Sequence, residues 1–206
     1  SAAKLGVSCL RRLSVVTSDE LEEYLRELRE TVTIAGLNHQ IWWVYKSKDT
    51  RHKFIRTMRR FNLFFQTSEY AHFVTLLVGL YRLYETRIDT YNIPTFLKRI
   101  REYGHLPESS VSEAEEIYLN QAKPLWIKVS ILRNEAYGHR SSTSTMAEIF
   151  RKAGVSPNQL HELMEVTKKL LNTLSHAWDN STHAFNLGSK EATIRMLESL
   201  KSEGGS

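Results

Sequence analysis

Phe73-Val74-Thr75-Leu76-Leu77-Val78-Gly79-Leu80-Tyr81 is apolar nearly all round, and it sits inside a longer period formed by Tyr70, Phe73, Leu76, Leu77, Leu80, Leu83 and Tyr84. A helix without a polar face belongs in the middle of a bundle. It is too short to span a bilayer, and Arg82 closes it. Outward from this run, the same spacing recurs. Thr17 and Glu20 form a capping box, followed by Leu21, Tyr24, Leu25, Leu28, Val32 and Ala35 in a helix expected to reach about Tyr45. A second helix from near Thr50 uses Phe54, Ile55, Met58, Phe61, Phe64 and Phe65 as its apolar face and turns Arg51, Lys53, Arg56, Arg59 and Arg60 outward. The phenylalanines from Phe54 to Phe73 are expected in the core, with Gln66–Glu69 a polar interruption, either a kink or a solvated turn.

Past the central run, Ile93-Pro94 starts a shorter helix, with proline suited to its first turn. Ser110 and Glu113 read as another capping box, and Pro124 as a kink or fresh start. Met146–Lys152 forms a short helix. Ser156-Pro157 opens a long one through Leu160, Leu163, Leu170, Leu171, Leu174 and Trp178, and Glu191–Leu200 a weak last one. No stretch reads as a strand. The fold class is an all-α bundle with long central helices.

At 206 residues and 41% apolar, the chain is long enough for one full core. The expected division is a flexible segment over 1–16, a helical domain over 17–180 and an extension over 181–206. A formal charge of +5 mildly favours polyanionic partners. The single Cys9 excludes an internal disulfide framework and fits a reducing, cytoplasmic location, with no membrane partner.

Chemistry concentrates in Ile131-Leu132-Arg133-Asn134-Glu135-Ala136-Tyr137-Gly138-His139-Arg140, at the end of an amphipathic pattern. Arginine offers a permanent cation with a rigid fork of donors, and histidine exchanges protons near neutral pH. On a continuous helix, six-residue spacing holds Arg133 and His139 well round from each other. A left-handed Gly138 closing the helix is expected to bring them to one surface. No Walker-type phosphate loop and no His-x-x-x-His pair competes, so neither metal nor cofactor is expected.

An arginine, a polar residue and then a histidine at the end of a core helix resembles the signature of HEPN domains. The surrounding Leu132 to Arg140 looks most like the AbiU-type abortive-infection branch. That resemblance implies an up-and-down bundle and a metal-independent endoribonuclease of abortive-infection or toxin type. In it, two subunits bring their motifs together on RNA. Carried onto this chain, it makes His139 the proton-transfer group, Arg133 the stabiliser of phosphate charge and Asn134 the arranging polar residue. Arg140, Arg56, Arg59 and Arg60 are candidate RNA contacts, and an antitoxin or regulatory protein is a further candidate partner. Some HEPN toxins are silenced by nucleotide transfer onto a tyrosine two residues after the histidine; here that position is Ser141.

A plainer reading competes. Arg133 and His139 also suit an ordinary helix C-terminus, where cations complement the dipole. The basic face from Arg51 to Arg60 also suits a solvated helix side. The alternative function is a non-catalytic helical module binding nucleotide, RNA or a protein.

Overall fold

In a computed structural model of the chain, describing residues 17–104, 106–138, 142–185 and 187–202, Thr17 caps the first helix, α1 (Ser18–Lys46). Its Oγ1 accepts the Glu20 N–H at 3.3 Å, while Glu20 Oε2 accepts the Thr17 N–H at 2.9 Å. The expected flexible segment over 1–16 lies outside the described residues. The buried stripe of α1, from Leu21 to Trp42, packs along α3 (Asn62–Tyr84). The two helices are in close contact where Ala35 meets Gly79: a Cβ on Gly79 would stand 3.1 Å from that of Ala35. Glycine there sets the depth at which the helices interlock.

Two expectations about this region are corrected. The chain does not break at Gln66–Glu69; α3 runs straight through it. Partners on α1 meet two of the polar side chains: Lys46 pairs with Glu69 at 2.5 Å, and the Tyr45 and Ser68 hydroxyls lie 3.4 Å apart. The break comes earlier, at Phe61 (φ −110°, ψ 44°), which separates α3 from α2 (Lys48–Arg60). Nor are all the phenylalanines core. Phe54 and Phe65 are buried, whereas Phe61 is 37% and Phe64 59% exposed.

Asn92 opens α4 (Ile93–Tyr103) from a fully buried position. Its Oδ1 accepts the Thr95 N–H at 2.9 Å, its Nδ2 donates to the Arg87 carbonyl at 2.7 Å, and its N–H donates to the Tyr24 hydroxyl at 2.9 Å. Next, α5 (Glu108–Glu116) begins ahead of Ser110, behind Pro107, with no side-chain cap; the expected capping box is not formed. A π-helical turn, Ile117–Ala122, joins it to α6 (Lys123–Leu132), placing Pro124 in the first turn of α6. Proline cannot donate to the carbonyl four residues back and its ring clashes there. A wider turn just before it lets the helix continue.

The remaining helices are α7 (Met146–Ala153), α8 (Pro157–Asp179) and α9 (Ser189–Ser202). Buried faces of α8, α5 and α6 complete the main core with α1, α3 and α4. A second cluster, in which Leu197 of α9 meets Val44, Tyr45, Phe54, Met58 and Phe65, ties α9 to α1 and α2. Among the described residues there is no strand, and no helix is long and apolar enough to cross a membrane.

Deep in the core lies a polar pair whose direction is determined. Thr167 Oγ1 donates to the Leu163 carbonyl at 2.6 Å, so the Tyr84 hydroxyl, 2.8 Å away, donates to Thr167. Thr167→Val leaves that hydroxyl buried without an acceptor and should cost about 1–3 kcal/mol in urea unfolding. Adding Tyr84→Phe should recover part of the loss, because both polar groups are then gone.

Candidate active site

Val129 and Leu132 are fully buried and anchor the last turns of α6 in the core. The helix does not close there. Residues Arg133–Gly138 form a second π-helical turn, packed against α3, α6 and α7. The expected left-handed Gly138 is therefore corrected: among the described residues, the glycines with positive φ are Gly104, Gly154 and Gly188. A π turn bonds each N–H to the carbonyl five residues back, so Gly138 comes round over Arg133. A Cβ at Gly138 would stand 2.8 Å from the Arg133 carbonyl oxygen and 3.1 Å from its guanidinium nitrogen. The glycine serves close approach rather than an unusual backbone angle.

That approach helps position the arginine. The Arg133 guanidinium carbon lies 4.4 Å from the centre of the Tyr81 ring, and its Nη1 donates to Asn134 Oδ1 at 3.0 Å. Trp126 packs against Tyr81 and donates its indole N–H to the Tyr81 carbonyl at 3.3 Å. A guanidinium centred over an aromatic ring is held by cation–π attraction and still has a fork of N–H donors to offer a phosphate. Glu135 is ion-paired with Lys152, so the carboxylate nearest the motif is partly neutralised. His139 and Arg140 lie outside the described residues.

Tyr137, on the same turn, faces a cleft of about 390 Å³ with Trp42, Tyr70, Phe73, Phe150 and Leu160 among its walls. Its ring meets Phe73 edge-on at 5.6 Å and lies 6.0 Å from Tyr70. Burial, aided by Tyr70, pushes the Tyr137 hydroxyl above its usual pKa. The Lys46–Glu69 pair and Gln66 supply the cleft's polar edge. Spacing along the chain could not indicate this cleft, because its walls come from α1, α3, α7, α8 and the motif turn.

The structure brings Arg133 and Asn134 together but not the basic face of α2. Arg56, Arg59 and Arg60 are exposed, and α2 packs on α1, α3 and α9. Phe61, over which Arg60 lies, is twenty residues from Tyr81 along α3, or about 30 Å of helix.

Sequence reasoning missed a further cluster. His39 of α1, 2% exposed, points its Nε2 at Nδ1 of His161 on α8, 3.2 Å away. Burial first, then His161 and Lys168, lowers the His39 pKa to about 3. The native state thus holds His39 neutral, while an unfolded histidine protonates below about 6.5. Its contribution is present above that value and is lost as the pH falls toward 3. Between pH 7 and pH 5 the wild type should lose about 2 kcal/mol more than His39→Leu, measured by urea unfolding in EDTA.

The HEPN_AbiU2 family, described as AbiU2, matches residues 18–195. The chain is an AbiU2-type HEPN protein. The match runs from the start of α1 into α9 and includes the motif turn, consistent with the all-α bundle described above. No curated protein and no solved structure matches the chain significantly.

Proposed function

We propose that this HEPN protein is a metal-independent endoribonuclease of the abortive-infection type, working as a homodimer on RNA. The observation that carries the reading is the hold on Arg133: Tyr81 beneath it, Asn134 beside it and Gly138 pressed against it. RNA brings its own nucleophile. The 2′-oxygen attacks phosphorus, its proton passes to a base, the bond to the 5′-oxygen breaks, and an acid protonates that leaving oxygen. Arg133 offsets the charge that gathers on the non-bridging oxygens. His139 is the proton-transfer group. One copy holds a single such histidine, so separate base and acid call for two copies.

The aromatic cleft beside the motif gives a base flanking the scissile phosphate rings to stack on. The surface of α3 fits self-association. Between Asn62 and Tyr81 its only charged residue is Glu69, which is paired, and Leu63, Phe64 and Val78 are exposed. An antitoxin or regulatory partner belongs to the same proposal.

Purified protein should cleave single-stranded RNA in EDTA, leaving 2′,3′-cyclic phosphate and 5′-hydroxyl ends. Cleavage that stops in EDTA, or ends carrying 5′-phosphate, would overturn the reading. A monomeric mass in sedimentation at cleaving concentrations would remove the dimer from it. The same aromatic cleft supports the second reading, a module that binds nucleotide without cutting. Binding of RNA with no cleavage at any protein concentration would favour it.

A further inference from the structure

His161 and Glu165 stand four residues apart on α8, the spacing that puts two side chains on one helical face. Metal-binding helices use that spacing to offer two ligands side by side. Across from them, His39 arrives from α1, and one donor atom from each of the three side chains lies within 4.8 Å of the others. The set grades from interior to surface: His39 is buried, His161 half-buried and Glu165 exposed. An ion therefore has a route in past the carboxylate.

We infer that His39, His161 and Glu165 form a binding site for a divalent transition-metal cation of the zinc type. Two imidazoles and one carboxylate are the donor set that zinc takes when water fills its fourth position. The facing nitrogens are 3.2 Å apart. That is close to the edge of a tetrahedron with bonds of about 2.0–2.1 Å, roughly 3.3–3.4 Å. The ring centres are only 5.0 Å apart, with planes inclined by 16°. Trp43 stacks on His161 at 4.6 Å and holds the ring in place. Lys168 donates to Glu165 Oε1 at 2.7 Å, the kind of second contact that orients a ligating carboxylate.

A bound cation would clamp α1 to α8. The inference is independent of RNA cleavage and does not rest on it.

The test is calorimetric titration of Zn²⁺ into EDTA-treated, tag-free protein that has then been freed of chelator. Co²⁺ is titrated alongside, and its visible absorption and the tryptophan fluorescence are followed. The expected result is one ion per chain, a raised melting temperature and tetrahedral Co²⁺ bands. His161→Ala, on a half-buried side chain, should weaken binding by at least about 100-fold, the upper end for residues that merely orient ligands. Glu165→Gln, on an exposed one, should weaken it by about 10-fold or more. Circular dichroism verifies that both variants remain folded. No saturable binding to the wild type, or undiminished binding in His161→Ala, would overturn the site.

Discussion

Replacing His139 by alanine should lower RNA cleavage by at least about 10²–10⁴-fold, the range that a positioned acid or base supplies. Single-turnover cleavage of a labelled RNA, with far-UV circular dichroism and melting temperature as controls, measures it. Mixing wild-type with His139→Ala protein sharpens the result. If the site needs the histidine of both copies, mixed dimers should be impaired, so an excess of His139→Ala protein should depress wild-type cleavage. Arg133→Ala by itself should cost about 10²–10³-fold, as expected of a group aimed at developing charge. Arg133→Lys should not restore activity, because an ammonium over Tyr81 lacks the planar fork of donors that a guanidinium offers. Full cleavage by His139→Ala would sink the proposed mechanism whatever the other variants did.

The second large effect is expected at a residue with no functional group. Gly138→Ala places a methyl 2.8 Å from the Arg133 carbonyl oxygen, which is backbone and cannot swing aside, and 3.2 Å from the guanidinium carbon. Relief requires the π turn to open or Arg133 to leave Tyr81. Misplacing a catalytic group by about 1 Å costs on the order of 10²-fold, so cleavage should fall nearly as far as in Arg133→Ala. Stability should fall by about 1–3 kcal/mol, as for other overpacked sites. Gly104→Ala is the contrasting control. Its φ of +71° makes alanine strained, yet no atom lies within 4 Å of the added carbon. It should lower stability by about 1 kcal/mol and leave cleavage untouched. Equal loss of activity in both variants would mean that general destabilisation, not the hold on Arg133, was being measured.

At Gly138, local sequence no longer determines the backbone. A glycine between an arginine and a histidine invites the common explanation of a left-handed helix end, and Gly104 and Gly154 do take that form. At Gly138 the chain keeps winding in a wider turn instead, and what forbids a side chain is the arginine five residues earlier. Local propensity carries no record of that contact. The helix break at Phe61 is similar: polar Gln66–Glu69 looked like the weak point until Lys46 and Tyr45 of α1 supplied partners for Glu69 and Ser68.

The helical period of Leu21 to Ala35, Tyr70 to Tyr84 and Leu160 to Trp178, together with the caps at Thr17 and Ser156, determined by itself that the chain is an all-α bundle. It also marked Arg133, Asn134 and His139 as the residues to watch, because periodicity and motif spacing are properties of neighbours in the chain. Tertiary structure alone decided that Tyr81 carries Arg133, that Tyr70 and Tyr137 wall one cleft, and that His39 meets His161 across 122 residues of sequence. Those contacts exist only once the buried faces of α1, α3, α6 and α8 have chosen which helix lies beside which. That choice depends on the fit of whole surfaces, such as Gly79 against Ala35, and not on any short run of residues.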